Sequence, residues 1–87
     1  MIVMTHLIET LDLLGLQGEQ SLDGRWVKLH GERCAVYVVE ATWGNGYYTW
    51  CDDPQARAVE FYRDAHTAIK AGLRRASSHT LQQKHHE

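Results

Sequence analysis

The sequence contains little of what a disulfide-stabilised or metal-binding domain needs. It has two cysteines, Cys34 and Cys51, and a single proline among 87 residues. The cysteines are too far apart for a CxxC pair, and two are too few for the disulfide framework of a small secreted domain. Six histidines are scattered without the spacing of a structural zinc site. We therefore expect reduced thiols, no metal site and no cofactor.

Long hydrophobic runs are also missing. The apolar stretch MIVMTHLIETLDLLGL is interrupted by His6, Glu9 and Asp12, and no Lys or Arg precedes it. A secretory leader needs a basic start and an uninterrupted apolar run, and a membrane span needs about 20 apolar residues. The sequence therefore predicts a cytoplasmic protein without a membrane partner.

Neither sign of charge dominates the chain, whose net charge is -2. Hydrophobic residues make up 44% and charged residues 23%, a balance typical of a globular domain. The charges are unevenly distributed, because residues 1–24 contain four acidic side chains and no Lys or Arg, whereas residues 63–84 contain five Lys or Arg and one Asp. Domains of this size have one modest core and often gain stability by association. We expect one domain over residues 1–80, a frayed polar tail over 81–87, and a homodimer.

Two segments have the periodicity of amphipathic helices. In the first, Thr5 is the expected cap, leucine and isoleucine recur at three- and four-residue steps, and Gly15 is the expected stop. The second starts after Asp64 as cap. Its apolar stripe is rich in small residues, which would let the helix lie close to a sheet. The stripe consists of Ala65, Ala68, Ile69, Gly72, Leu73 and Ala76.

Four segments between the helices have the composition of β-strands: RWVKLH, RCAVYVVEATW, YYTWC and ARAVEFY. The preceding QGEQSLDG is predicted to be a polar connection. The order of elements predicts an α+β domain. It consists of an N-terminal helix, an antiparallel meander sheet of three to four strands and a C-terminal helix, with both helices on the aliphatic face of the sheet.

Turn signals set the expected pairing of these strands. Asn45-Gly46 favours a two-residue type I′ turn, which would place Trp43 opposite Tyr48. A turn at Gly31-Glu32 would place Trp26 opposite Tyr37. Both registers are predictions from turn chemistry alone.

Alternation along the strands divides their side chains between two faces. One face is aliphatic and contains Val27, Leu29, Cys34, Val36, Val38, Thr49 and Cys51, with Val59 and Phe61 as additions from the fourth strand. The other gathers aromatic rings, which form the candidate partner- or ligand-binding surface: Trp26, Tyr37, Trp43, Tyr48 and Trp50. A solvent-facing sheet normally presents polar side chains. The aromatic face is therefore expected to be covered by a helix, a second copy or a ligand.

No residue pattern indicates catalysis, since Cys51 has only acidic neighbours and the adjacent Asp52 and Asp53 would point apart in a strand. We predict a non-enzymatic binding or protein-interaction module that self-associates through the aromatic face. Another protein, or a small apolar ligand held in an aromatic pocket, is an alternative partner. Possible phosphate contacts from Lys70, Arg74 and Arg75 give a further alternative, a nucleic-acid-binding accessory protein. Basic residues late in a helix also complement its dipole.

Overall fold

The computed structural model describes residues 4–42, 45–53 and 58–85, and side chains as far as residue 77. Its elements are α1 (His6–Leu13), β1 (Gly18–Gln20), β2 (Trp26–His30), β3 (Ala35–Glu40), β4 (Tyr47–Cys51), β5 (Glu60–Tyr62) and α2 (Ala65–His85). The strands form one antiparallel sheet in the order β1-β2-β3-β4-β5. The predicted α+β architecture is confirmed, with five strands rather than three to four.

Both ends of α1 are fixed by the residues that the sequence indicates. The Thr5 hydroxyl accepts a hydrogen bond from the third helical amide and donates one to the Gly24 carbonyl at 2.6 Å. At the other end Gly15 has φ 71°, and the Leu16 amide donates to the Leu11 carbonyl at 3.0 Å. This glycine-terminated geometry is a Schellman motif, which satisfies the last helical carbonyls. The bond from Thr5 to Gly24 also joins α1 to the turn between β1 and β2.

The strand missing from the prediction is β1, which lies in the segment expected to be a connection. All three of its residues are exposed, so it lacks the hydrophobic alternation that marks a half-buried strand. It forms because a tight turn returns the chain alongside β2. The Ser21 hydroxyl accepts from the Arg25 amide at 3.0 Å, and Gly24 adopts φ 71°. Asp23 and Gly24 therefore lie in a turn that joins two strands, within the segment predicted to be a polar connection.

The predicted hairpin registers are wrong, although the faces derived from them are correct. The structure pairs Trp26 with Val39 and Tyr48 with Val39. The first hairpin is therefore shifted by two residues and the second by four. Because side chains alternate with a period of two, an even shift leaves the residues of β2, β3 and β4 on their predicted faces.

The Asn45-Gly46 turn is replaced by a longer connection between Glu40 and Tyr47. The Ala41 amide donates to the Gly46 carbonyl at 2.8 Å, which continues the β3–β4 ladder as far as Gly46. A Cβ atom at Gly46 would overlap the ring of Phe61. Gly46 thus lies in close contact with the Phe61 ring, and it does not supply the positive φ of a two-residue turn.

The core lies between the sheet and the two helices. The strands contribute Val27, Leu29, Val36, Val38, Tyr47 and Cys51, and the helices contribute Leu7, Ile8, Leu11, Ala65, Ala68, Ile69 and Ala76. All six residues of the predicted α2 stripe are buried or partly buried. The Asp64 carboxylate caps α2 by accepting from the Thr67 amide at 2.9 Å, which lowers its pKa. Both helices therefore cover the aliphatic face, as predicted.

Candidate binding surface

The face of the sheet opposite the helices carries two rows of side chains that run across the strands. Successive pairings align Trp26, Val39, Tyr48 and Phe61 in the first row. They align Glu19, Lys28, Tyr37 and Trp50 in the second. Adjacent strands lie about 4.8 Å apart, and residues two apart along a strand are separated by about 6.8 Å. The two rows, here called the open face, therefore form one continuous patch.

Ring contacts fix the arrangement of the open face. The rings of Tyr37 and Trp50 are stacked, with centroids 5.3 Å apart and planes inclined by 16°. Those of Tyr48 and Phe61 are tilted, with centroids 5.1 Å apart. The Lys28 ammonium lies 5.9 Å from the centroid of Tyr37, at the outer limit of a cation–π contact. These contacts hold the rings in position before any partner binds.

The ends of the first row are its most accessible part. Trp26 is 39% exposed and Phe61 is 43% exposed, whereas the rings between and beside them are half-buried. Neither described helix covers this face, because the buried residues of both helices belong to the core on the other side of the sheet. The aromatic face was expected to be covered by a helix of the same chain, a second copy or a ligand. Among the described residues, no helix of the same chain covers it.

Four of the five predicted surface residues lie together on the open face: Trp26, Tyr37, Tyr48 and Trp50. The fifth, Trp43, lies outside the described residues. Its predicted position opposite Tyr48 is wrong, because Val39 occupies that position.

Phe61 was assigned to the wrong face. It pairs with Tyr48 on the open face, and Val59, also predicted to lie in the core, is 56% exposed. Glu60 and Tyr62 instead point toward α2, where the Tyr62 hydroxyl donates to the Glu60 carboxylate at 2.8 Å. The three-residue strand EFY is too short for its composition to show which residue faces inward. The signal that could have placed Phe61 is the glycine at position 46, which leaves room for a large neighbouring ring.

The three basic residues predicted to contact phosphate have different environments on α2. Arg75 donates to the Ala58 carbonyl at 2.9 Å and lies 3.6 Å from the Glu60 carboxylate, so its guanidinium anchors the chain entering β5. Lys70 and Arg74 are exposed and border a shallow depression of about 320 Å³ together with Leu73 and Ser77. The solvent-facing side of an amphipathic helix normally carries charged side chains. The positions of Lys70 and Arg74 therefore do not by themselves indicate phosphate binding.

The two cysteines are free thiols on the core side of the sheet. Cys51 is 2% exposed, and its thiol lies 3.6 Å from the Gly72 carbonyl. Burial, together with the neighbouring Cys34 thiol, raises the pKa of Cys51 to about 11. The thiolate that a nucleophile requires is therefore disfavoured at neutral pH.

This pKa predicts slow alkylation of Cys51. With iodoacetamide at pH 8, the partly buried Cys34 should react well before Cys51, and both should react at similar rates in denaturant, as followed by mass spectrometry of the digested protein. Cys51 loses its proton at a higher pH in the folded protein than in the unfolded chain. Its neutral thiol therefore contributes stability that is fully present below the pKa of the unfolded chain and is lost as pH rises through about 11. Equal labelling of both cysteines in the folded protein would contradict the burial and the raised pKa of Cys51.

Comparison with known proteins yields no match to a protein-family model, a curated protein or a solved structure. Within the described parts of the chain, no three His, Cys, Asp or Glu side chains are grouped so as to hold a metal ion. Over the same residues, neither helix combines the length and the apolar character that crossing a membrane requires.

Proposed function

We propose that this protein is a small non-enzymatic interaction module that self-associates through its open face. The observation that supports this proposal is the pair of side-chain rows that the described helices leave uncovered, with Trp26 and Phe61 exposed at opposite ends of the first row. Aromatic residues are enriched in interfaces and carry much of their binding energy. A second copy of the chain is the partner that this pattern fits.

The order of residues in the first row suits two-fold symmetry. If two sheets pack face to face about an axis parallel to the strands and between β3 and β4, β2 of one copy lies over β5 of the other. Trp26 then covers the partner's Phe61, and Val39 covers the partner's Tyr48. In such an isologous interface each contact occurs twice, so both exposed rings of each copy are covered together.

The size of the open face indicates a weak dimer. Across β2 to β5 it spans about 14 Å, and along the five residues of β2 about 17 Å, so its projected area is roughly 240 Å². Side-chain relief increases this area, but a stable interface buries about 800 Å² per partner. We therefore infer a reversible dimer that forms at high protein concentration and dissociates on dilution.

Introducing a charge at the edge of the open face tests this proposal. Replacing Trp26 with lysine should weaken dimerisation by about 30-fold or more, because losing an aromatic interface contact costs about 1 kcal/mol and the loss occurs twice per dimer, about 2 kcal/mol in total. Sedimentation equilibrium over a wide concentration range measures the dissociation constant. Dilution should also increase quenching of tryptophan fluorescence by acrylamide in the unmodified protein.

Leu22→Lys is the matched control. Leu22 is 99% exposed and lies outside the two rows, so the same loss of an apolar side chain and the same added charge should leave dimerisation unchanged. A protein that stays monomeric at every concentration, or equal effects of the two substitutions, would refute self-association through this face. A complex formed only with added oligonucleotide, and lost at high salt, would instead support the nucleic-acid alternative.

A further inference from the structure

A second surface lies at the opposite edge of the fold, where β1 borders α1. β1 is the first strand of the sheet, and in the part of the chain that the structure describes no strand pairs with its outer edge. Between this edge and α1 is a depression of about 300 Å³. Its apolar wall is formed by Ile8, Leu11 and Leu16, and polar groups of Asp12 and Gln20 border it. An unpaired strand beside an apolar depression is the arrangement used to bind an extended peptide as an added strand.

The hydrogen-bond pattern shows which backbone groups face outward. The Ser21 amide donates to the Trp26 carbonyl at 3.1 Å, in register with the pairing of Gln20 and Val27. Bonded and non-bonded pairs alternate in an antiparallel ladder, so Glu19 bonds inward to Lys28, whereas Gly18 and Gln20 direct their N–H and C=O groups away from β2. Two donors and two acceptors are thus available to an added strand.

The two faces of β1 determine which side chains an added partner strand would need. Gly18 and Gln20 face the helix side, where Leu29 and Val27 are their partners, and Glu19 faces the other side. Residues of an added strand opposite Gly18 and Gln20 would therefore point toward the depression, whereas the residue opposite Glu19 would lie beside its carboxylate. Apolar residues fit the first two positions and a basic residue fits the third.

The surrounding charge also favours a basic partner. Residues 1–24 contain Glu9, Asp12, Glu19 and Asp23 with no Lys or Arg. Asp12 lies on the border of the depression, and Glu19 lies within the edge strand itself. We propose that the β1 edge binds an extended segment of a partner protein with the pattern apolar-basic-apolar, which adds to the sheet as a sixth strand.

Fluorescence anisotropy with the labelled, N-acetylated peptide Thr-Leu-Arg-Leu-Thr tests this proposal. Replacing its arginine with glutamate, or both leucines with serine, should each weaken binding several-fold. In the protein, Gln20→Pro removes one outward N–H without breaking an inward ladder bond, whereas Gln20→Ala retains that N–H. We expect Gln20→Pro to bind the peptide about three- to tenfold more weakly than Gln20→Ala, the range for one lost backbone hydrogen bond.

Amide hydrogen exchange of the unmodified protein gives a measurement independent of any variant. Bound peptide should slow exchange at Gly18 and Gln20 and have less effect at Glu19, which is already bonded to β2.

Equal binding by the two Gln20 variants, equal binding of the arginine and glutamate peptides, or no slowing at Gly18 and Gln20 would overturn the proposal. A dimer that is lost only in Gln20→Pro would also overturn it, since a second copy would then occupy this edge. Trp26→Lys should leave peptide binding unchanged, so this test is independent of the proposed self-association.

Discussion

Replacing Gly72 with valine is expected to lower the free energy of unfolding by about 2–4 kcal/mol, because α2 crosses the sheet too closely to admit a side chain there. A Cβ atom at this position would lie 2.5 Å from both the Thr49 hydroxyl and a methyl carbon of Val36. Both of those side chains are fully buried and belong to the central strands β3 and β4. Neither can move aside without displacing other core residues. Urea unfolding followed by far-ultraviolet circular dichroism measures the loss.

Lys70→Val provides the control for this substitution. Lys70 is exposed on the same helix, so the variant introduces a β-branched residue without a clash and should cost about 0.5 kcal/mol in helix propensity. Gly72→Ala should also destabilise the protein, although alanine regains up to about 1 kcal/mol of propensity. A Gly72→Val variant as stable as Lys70→Val would show that α2 does not lie this close to the sheet.

An unfavourable feature of the core lies beside the contact at Gly72. The hydroxyl oxygen of Thr49 is buried and has no hydrogen-bond partner among the described residues. Threonine in a strand presents either its hydroxyl or its methyl group to the helix above it, and the hydroxyl oxygen here lies directly beneath Gly72. The unpartnered hydroxyl therefore lies in the close contact between α2 and the sheet.

Much of the fold follows from local chemistry that the sequence displays directly. Thr5, Gly15 and Asp64 act at helix ends through their own side chain or backbone, so their roles do not depend on distant residues. The small residues of the α2 stripe likewise predict close packing, and Gly72 bears this out. The faces of β2, β3 and β4 could be predicted because alternation along these longer strands requires only the local backbone.

Strand register could not be predicted, because it depends on the lengths of the connections and on contacts between distant residues. Asn45-Gly46 is a strong turn signal, yet the β3–β4 ladder extends to the bond between Ala41 and Gly46, and Gly46 packs against Phe61. The polar strand β1 is stabilised by the turn at Ser21 and by backbone bonds to β2, neither of which requires apolar residues. Phe61 joined the open face for the same reason, since its face is set by pairing with Tyr48.

The second large effect expected is that of Leu29→Ala, which should remove about 2–5 kcal/mol by leaving a cavity in the core. Leu29 is 2% exposed on β2, in contact with the buried cluster beneath the helices. A domain of this length has a total stability on the order of 4–13 kcal/mol, so the loss is a large fraction of the whole. The melting temperature should fall by about 10–30 °C, as measured by circular dichroism or calorimetry.

Trp26→Ala on the same strand provides the matched comparison, because Trp26 points to the open face and is 39% exposed. In dilute solution it should cost about 1 kcal/mol, despite removing a larger side chain than leucine. Equal losses for the two variants would mean that the open face is as tightly packed as the core. The two effects should also differ in their dependence on protein concentration. Dimerisation stabilises the folded state by mass action, so the cost of Trp26→Ala should increase as protein concentration rises, whereas the cost of Leu29→Ala should stay constant if it leaves dimer affinity unchanged.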